Sequence, residues 1–339
     1  MKIKTLLLNG LLVIAAVVVS ALFMEFATRM AFPAMAPSGQ VQFVAAHDDV
    51  PALGPRDTRL RQVKNAGDFD VEVYFNKYGF RDTKDFAKST PEDFFLVGDS
   101  LSFGWGVEET ARYSNLVQQA IGRDVYNLCI PGDLDDFANI LWWTIRNGAK
   151  VNNLMIAISM SFTLKDYENP SETEPAARQH GHLISIKNYL MTHSAFYFLV
   201  TSFIHKNEAL RNIAVDLGLI VPAVEGIAYK PYSEKAIEST ARRTQRLAKD
   251  YDAVVIIAPS RALWFGSEKE KETADRIHKA FIARLKELGL AVVDVRPDFE
   301  RGGNPANNYF TNDGHWSPTG HAAAAHAVVR FLSARGNSN

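Results

Sequence analysis

Short apolar runs that alternate with helical patterns are the most regular feature of the chain. Each run is four or five residues long and shows little polar alternation, which is typical of strands buried on both faces of a parallel sheet. The runs occupy residues 94–97, 125–128, 154–158, 254–258 and 291–295. Apolar residues at helical spacing fill 237–251, 274–288 and 319–332, and Gly289 follows the second of these as a predicted C-terminal cap. The pattern therefore predicts an α/β fold in which helices cover both faces of a five-stranded parallel sheet.

An apolar segment at the N-terminus has a different character. Residues 6–24 are almost uninterrupted by polar side chains and follow Lys2 and Lys4. Roughly 20 apolar residues span a bilayer as a helix, whereas the apolar region of a cleaved signal peptide usually has about 7–15. We therefore predict a signal anchor, with secretion after signal cleavage as the alternative. The positive-inside bias then places the remaining chain outside the cytoplasm, in the periplasm.

These patterns divide the chain into segments. We predict a transmembrane helix over 1–30, a linker and lead-in over 31–70, and a catalytic domain over 71–335. An insertion at about 166–232 interrupts the alternation of strands and helices, either as a cap over the site or as a helical excursion. Its aromatic residues favour packing onto the core or the membrane face over lining a substrate groove.

Composition and charge narrow the function classes. Lys and Arg total 37 and Asp and Glu 38, a net charge of −1, so the chain lacks the basic excess typical of nucleic-acid binding. The lone cysteine, Cys129, excludes an intramolecular disulfide, and we expect a buried, inert thiol. His180 and His182 lack a third ligand, so neither a metal nor an organic cofactor is predicted. We expect His321 and His326 to serve packing or the surface.

Candidate catalytic residues follow the first and the last predicted strands. Ser100 lies in Gly-Asp-Ser-Leu directly after the first strand, and His315 lies in Asp-Gly-His after the last. Since the carboxyl ends of parallel strands meet at one edge of a sheet, the two side chains are expected to meet there. His315 would take the proton of the Ser100 hydroxyl, and Asp313 would orient and stabilise the imidazole.

These motifs resemble those of the SGNH, or GDSL, esterases and acyltransferases. The resemblance spans about residues 71–332 and rests on 98–108, 127–133 and 313–321, with 76–82 resembling the lead-in of membrane-anchored members. It implies a three-layer, flavodoxin-like sandwich in which Ser100 is the nucleophile. It also implies that the backbone N–H groups of Ser100 and Gly132 form the oxyanion hole.

Two positions depart from the family pattern. The third block, 158–164, lacks the Asn that supplies a second oxyanion donor, so Ser161 or Thr163 is the candidate substitute. Asn312 stands three residues before the histidine, where many members carry the acid. Since some polysaccharide acetyltransferase relatives place the acid two residues before the histidine, we assign this role to Asp313.

The motifs together predict an extracytoplasmic serine esterase that hydrolyses or transfers an acyl group, expected to be acetyl. The resemblance implies a cell-envelope glycan or another acylated molecule as its substrate. A polysaccharide O-acetyltransferase is one alternative, and a catalytically silent glycan-binding or assembly protein is another. Nearby, Asp133 is expected to cap a helix. Trp105 and Trp316 flank the proposed nucleophile and base, where packing and substrate stacking both remain open.

Overall fold

The computed structural model describes residues 2–35, 41, 43, 51–168, 189–190, 193–217, 219 and 233–336. The chain divides into two compact units. The first comprises Met1–Gln40, Val63–Gly67 and Arg178–Ile220, and the second comprises Val41–Gln62, Asp68–Ala177 and Val221–Asn339. The N-terminal helix thus groups with part of the insertion.

Two strands precede the main sheet and pair as a separate two-stranded sheet, which the sequence analysis did not predict. They are β1 (Thr58–Val63) and β2 (Asp70–Phe75). Val73 and Phe75 alternate along β2 and are buried, while Arg61 of β1 forms an ion pair with Asp70 of β2. Alternating burial and cross-strand charge pairs are characteristic of a sheet with one covered face.

The main sheet contains five parallel strands in the order β4-β3-β5-β6-β7. They are β3 (Phe94–Val97), β4 (Val125–Asn127), β5 (Asn153–Ser159), β6 (Asp252–Ala258) and β7 (Ala291–Asp294). These are the five runs that the sequence predicted, with bounds that differ by at most two residues. The predicted α/β class with a five-stranded parallel sheet is confirmed.

Eleven α-helices fall within the described ranges. They are α1 (Lys2–Ala31), α2 (Ser100–Phe103), α3 (Tyr113–Ile121), α4 (Leu134–Arg146), α5 (Ala195–Lys206), α6 (Glu208–Asp216), α7 (Glu234–Ala248), α8 (Ala262–Phe265), α9 (Glu268–Glu287), α10 (Arg296–Arg301) and α11 (Pro318–Gly336). Gly289 follows α9 with a φ of 80°, the left-handed conformation expected of a C-terminal cap.

Two apolar layers cover the main sheet because alternate strand residues point to opposite faces. Phe95 and Ile156 face the layer formed by α4, α7 and α9, whereas Phe94 and Met155 face the layer formed by α3, α10 and α11. The second unit is therefore a three-layer sandwich. The helices do not cover the carboxyl edge of the sheet, where the loops that follow the strands lie.

The helix α1 contains one candidate membrane span, Leu8–Ala31. None of its 18-residue apolar window is buried in the structure. Its length and composition fit either a membrane anchor or a signal sequence.

Candidate active site

Ser100 begins helix α2 directly after the sharp turn that ends β3. The carboxylate of Asp99 caps this helix by accepting a hydrogen bond from the Leu101 amide at 3.0 Å. Gly98 allows the turn to close, because a Cβ at this position would lie only 2.7 Å from the Ser102 Oγ and 2.9 Å from the Ala157 Cβ. The turn leaves Ser100 half-buried at the carboxyl edge of the sheet.

His315 reaches Ser100 from the loop that precedes α11. Its Nε2 lies 2.9 Å from the Ser100 Oγ, and its Nδ1 contacts the Asp313 carboxylate, which also accepts a hydrogen bond from the His315 amide at 3.0 Å. An isolated antiparallel bridge between Tyr309 and Trp316 closes the base of the loop. The structure thus brings the three predicted side chains together in a serine–histidine–aspartate arrangement.

Asn312 and Asp313 take different directions in this loop. The backbone amide of Asn312 donates to the Asp68 carboxylate at 2.8 Å, and its side-chain amide lies 3.4 Å from the same oxygen. Asp313 is the residue beside the histidine ring, and its side chain is mostly buried. The local geometry therefore agrees with the two-residue spacing between acid and histidine.

The two tryptophans near the triad have different roles. The Trp105 ring stacks on the His315 ring, with centroids 5.5 Å apart and planes 23° apart. Trp316 is 1% exposed and packs edge-on against Tyr113 and Phe299 in the core. Trp105 therefore forms a wall beside the imidazole, while Trp316 supports the loop from within.

The segment 76–82 connects the serine loop to the rest of the site, a role that the sequence did not reveal. The buried guanidinium of Arg81 donates to the carbonyl oxygens of Gly104 at 2.5 Å and Val107 at 2.6 Å. Those residues flank Trp105, so Arg81 fixes the chain segment that carries the stacked ring. The Arg112 guanidinium in turn donates to the Arg81 carbonyl oxygen at 2.6 Å.

Segment 76–82 also contacts the motif at 127–133. The Asp82 carboxylate accepts from the Asn127 amide at 2.9 Å, at the end of β4. Burial, together with the charge of Arg112, lowers the pKa of Arg81 to about 9. Motif 76–82 was visible in the sequence, but the long-range contacts of its side chains leave no sequence pattern.

Asp99 is a fully buried carboxyl group beside the nucleophile. Burial raises its pKa to about 6, although the Leu101 amide and the charge of His315 act in the opposite direction. Its Oδ2 atom is buried without a hydrogen-bond partner. Asp99 belongs to the Gly-Asp-Ser-Leu motif, but its complete burial is not visible in the sequence.

The proposed oxyanion donors lie in loops at the same sheet edge as Ser100. Gly132 is in the loop between β4 and α4, where a Cβ would lie 2.6 Å from the Asp136 carboxylate. Thr163 is buried, and its hydroxyl accepts a hydrogen bond from the Ser159 amide at 3.2 Å. Ser161 is half-buried, and its hydroxyl donates to the Ser260 hydroxyl at 3.2 Å. Ser161 is therefore the more accessible of the two candidate hydroxyls.

The other polar residues that the sequence singled out cap a helix, lie in the core or lie at the surface. The Asp133 carboxylate caps α4 in a capping box with Asp136, as expected. Cys129 is buried, which raises the pKa of its thiol well above the usual value. Burial lowers the pKa of His321 to about 3, and the ring stacks on Tyr113 in the core. His326 lies at the surface beside Asp298. His180 and His182 lie outside the described residues.

Comparison with known proteins adds one family match. The model of the family described as "SGNH hydrolase-like domain, acetyltransferase AlgX" matches residues 228–339, a range that includes Asp313 and His315 but not Ser100. None of the curated proteins compared with the chain matches it.

Several solved structures are similar at low sequence identity. A member of the lipolytic G-D-S-L family from Veillonella parvula is 10% identical, with 71% of this chain and 98% of that chain covered and a TM-score of 0.43. An acetylxylan esterase from Geobacillus stearothermophilus is 12% identical, with coverages of 71% and 94% and a TM-score of 0.39. An alpha/beta hydrolase enzyme from the metagenome of Lake Arreo, Spain, is 13% identical, with coverages of 74% and 98% and a TM-score of 0.41.

The three-layer fold and the geometry at its carboxyl edge are those of an enzyme that acts on ester bonds, either as a hydrolase or as an acyltransferase. Over its C-terminal third, residues 228–339, the chain is similar to the family of SGNH hydrolase-like domains. An acylated molecule is accordingly its substrate.

Proposed function

We propose that the chain transfers an acetyl group through an acyl-enzyme on Ser100. The observation that carries this proposal is the 2.9 Å contact between the Ser100 Oγ and the His315 Nε2, with Asp313 on the other ring nitrogen. A serine hydroxyl is a weak nucleophile until a base removes its proton, and this arrangement supplies that base.

The reaction divides into two half-reactions. The Ser100 Oγ attacks the ester carbonyl carbon while His315 takes the hydroxyl proton, and the imidazolium that forms lies against Asp313. As the tetrahedral intermediate collapses, the ester C–O bond breaks and the leaving alkoxide takes the proton from His315. An acceptor hydroxyl then gives its proton to His315 and attacks the acyl carbon. The bond between the acyl carbon and the Ser100 Oγ breaks, and Oγ takes the proton back from His315.

We assign the stabilisation of the oxyanion to hydrogen bonds from the backbone N–H groups of Ser100 and Gly132. In the absence of the third-block Asn, we assign a third contact to the Ser161 hydroxyl, which is the accessible hydroxyl after β5. A hydroxyl that already donates to Ser260 must rotate to donate to an oxyanion. This cost would slow turnover relative to a site with a preorganised amide donor.

The acceptor is proposed to be a hydroxyl group of a cell-envelope glycan, with water as the competing acceptor. The description of the matching family as an acetyltransferase supports transfer. The candidate membrane span in α1 supports a location at the cell envelope. We propose that α1 remains as an anchor and that the second unit works on the extracytoplasmic side. The boundaries proposed from the sequence, an anchor over 1–30 and a catalytic domain over 71–335, remain part of this proposal.

Hydrolysis of 4-nitrophenyl acetate by the full-length protein in detergent tests the nucleophile. Ser100→Ala is expected to abolish turnover and the acetyl mass increase of the trapped intermediate. Ser102→Ala is the matched control, because Ser102 lies in the same helix but bonds to Tyr113. Equal activity in the wild type and Ser100→Ala would refute the acyl-enzyme and favour the silent binding protein.

Labelled acetyl donor with glycan acceptors distinguishes the two fates of the acyl group. Label recovered on a sugar hydroxyl supports the transferase. Label recovered only as acetate at every acceptor concentration would show that the enzyme is an esterase.

A further inference from the structure

Helix α5 is joined to the end of α1 inside the first unit by a partly buried polar contact. The Glu25 carboxylate accepts hydrogen bonds from the amides of Ala195 at 2.9 Å and Phe196 at 3.0 Å and from the Ser194 hydroxyl at 2.8 Å. Arg29 forms an ion pair with Glu25 and donates to the His193 carbonyl oxygen at 2.7 Å. Arg29 thus balances the charge of the acidic side chain inside the candidate span, and this carboxylate caps the N-terminus of α5.

Helix α5 exposes large apolar side chains while it buries a polar one. Phe203 is 63% exposed and Val200 is also exposed, whereas Ser202 is 4% exposed and faces inward with Ala195 and Phe198. A surface helix in water normally presents its polar residues outward and buries its large apolar ones. This helix therefore presents an apolar face to its surroundings.

Helix α6 continues this pattern on one side only. Ile213 and Leu217 lie on one face and are more than half exposed, and Leu210 lies beside Leu217 on the same face. Asn212 and Asp216 are exposed on the other side. Exposed apolar side chains also cover the end of α1, at Phe26, Met30 and Phe32.

We propose that α5 and α6 form a second membrane contact, lying in the interface of the lipid bilayer beside α1. The argument for lipid is continuity: the exposed apolar side chains of α5 belong to a helix fastened to the last turns of a candidate membrane span. His205, Lys206 and Arg211 flank these apolar faces, which suits contact with anionic headgroups. The proposal rests on the anchor proposed for α1.

Depth-dependent quenching in proteoliposomes tests this contact. The full-length chain is reconstituted into vesicles of equal parts phosphatidylcholine and phosphatidylglycerol. Single cysteines at Phe203, Ile213, Asn212 and Val18 carry an environment-sensitive fluorophore. The buried native Cys129 provides the unlabelled background, which the wild-type chain measures. Spin-labelled lipids then report the depth of each probe.

The Phe203→Cys and Ile213→Cys probes are expected to shift to shorter wavelength and to be quenched severalfold more by shallow than by deep spin labels. The matched Asn212→Cys probe on the other side of α6 should remain aqueous, and Val18→Cys, on α1, should be quenched by deep labels. If the Val18 probe is quenched while the probes at Phe203 and Ile213 stay exposed to water, the proposed membrane contact of α5 and α6 is refuted and the anchor is not. An unquenched Val18 probe would overturn the anchor.

Protection of Phe203 and Ile213 without lipid quenching, in vesicles and in detergent, would mean that protein or substrate covers the face. That result would also refute the lipid contact.

Discussion

The buried carboxyl of Asp99 makes the stability of the enzyme dependent on pH in a definite direction. Its pKa is raised from 3.8 to about 6 by burial, so the native state holds a proton that the unfolded chain releases between these values. The contribution of Asp99 to the free energy of unfolding is therefore fully present below about pH 4 and is lost as the pH rises through about 6. A difference of about two pKa units corresponds to about 3 kcal/mol. Asp99→Asn keeps an oxygen for the Leu101 amide and removes the titration.

We expect Asp99→Asn to match the wild type below about pH 4 and to exceed it by up to about 3 kcal/mol at pH 7. Urea unfolding of the full-length protein in detergent, followed by tryptophan fluorescence at several pH values, measures this difference. Asp250→Asn, at an exposed site, controls for the loss of one carboxylate. A difference between Asp99→Asn and wild type that does not change with pH would refute the reasoning.

Two further substitutions test how the site is built. Asp313→Asn should lower kcat for 4-nitrophenyl acetate on the order of 10⁴-fold because the imidazolium loses its counter-charge. Asn312→Ala should leave kcat within about tenfold, and an equal loss in both variants would contradict the assignment of the acid. Arg81→Met leaves the carbonyl groups of Gly104 and Val107 without their donor, at about 1–3 kcal/mol each. The thermal midpoint and kcat should therefore both fall, and an unchanged kcat would show that Arg81 does not position the Trp105 loop.

The main sheet could be predicted because its strands are buried on both faces. Residues 94–97 and 154–158 are apolar without interruption, so their burial follows from composition alone. β1 was missed because Arg59, Arg61 and Gln62 dilute its alternation, and it gains stability from pairing with β2. No local pattern records such pairing across a turn.

The proposed nucleophile and base could be identified because Ser100 directly follows β3 and His315 lies in a motif downstream of β7, a strand of the same parallel sheet. The neighbouring Asn312 and Asp313 were harder to assign, since only the loop geometry shows which of them contacts the imidazole. The role of Arg81 depends on backbone carbonyl groups more than twenty residues away, and main-chain acceptors are the same for every residue type. The environment of Asp99 likewise arises from tertiary burial, which a motif does not encode.

The separation of Ser100 from His315 along the chain has a consequence for biosynthesis. These residues are 215 positions apart, and β6 must pair with β5 before the loop that carries His315 can reach the serine. Such distant pairings form late in folding because a long loop must close first. The Ser100 hydroxyl therefore lacks its base while the chain emerges from the ribosome. Activation of the serine begins only once the segment that carries His315 has been synthesised and folded.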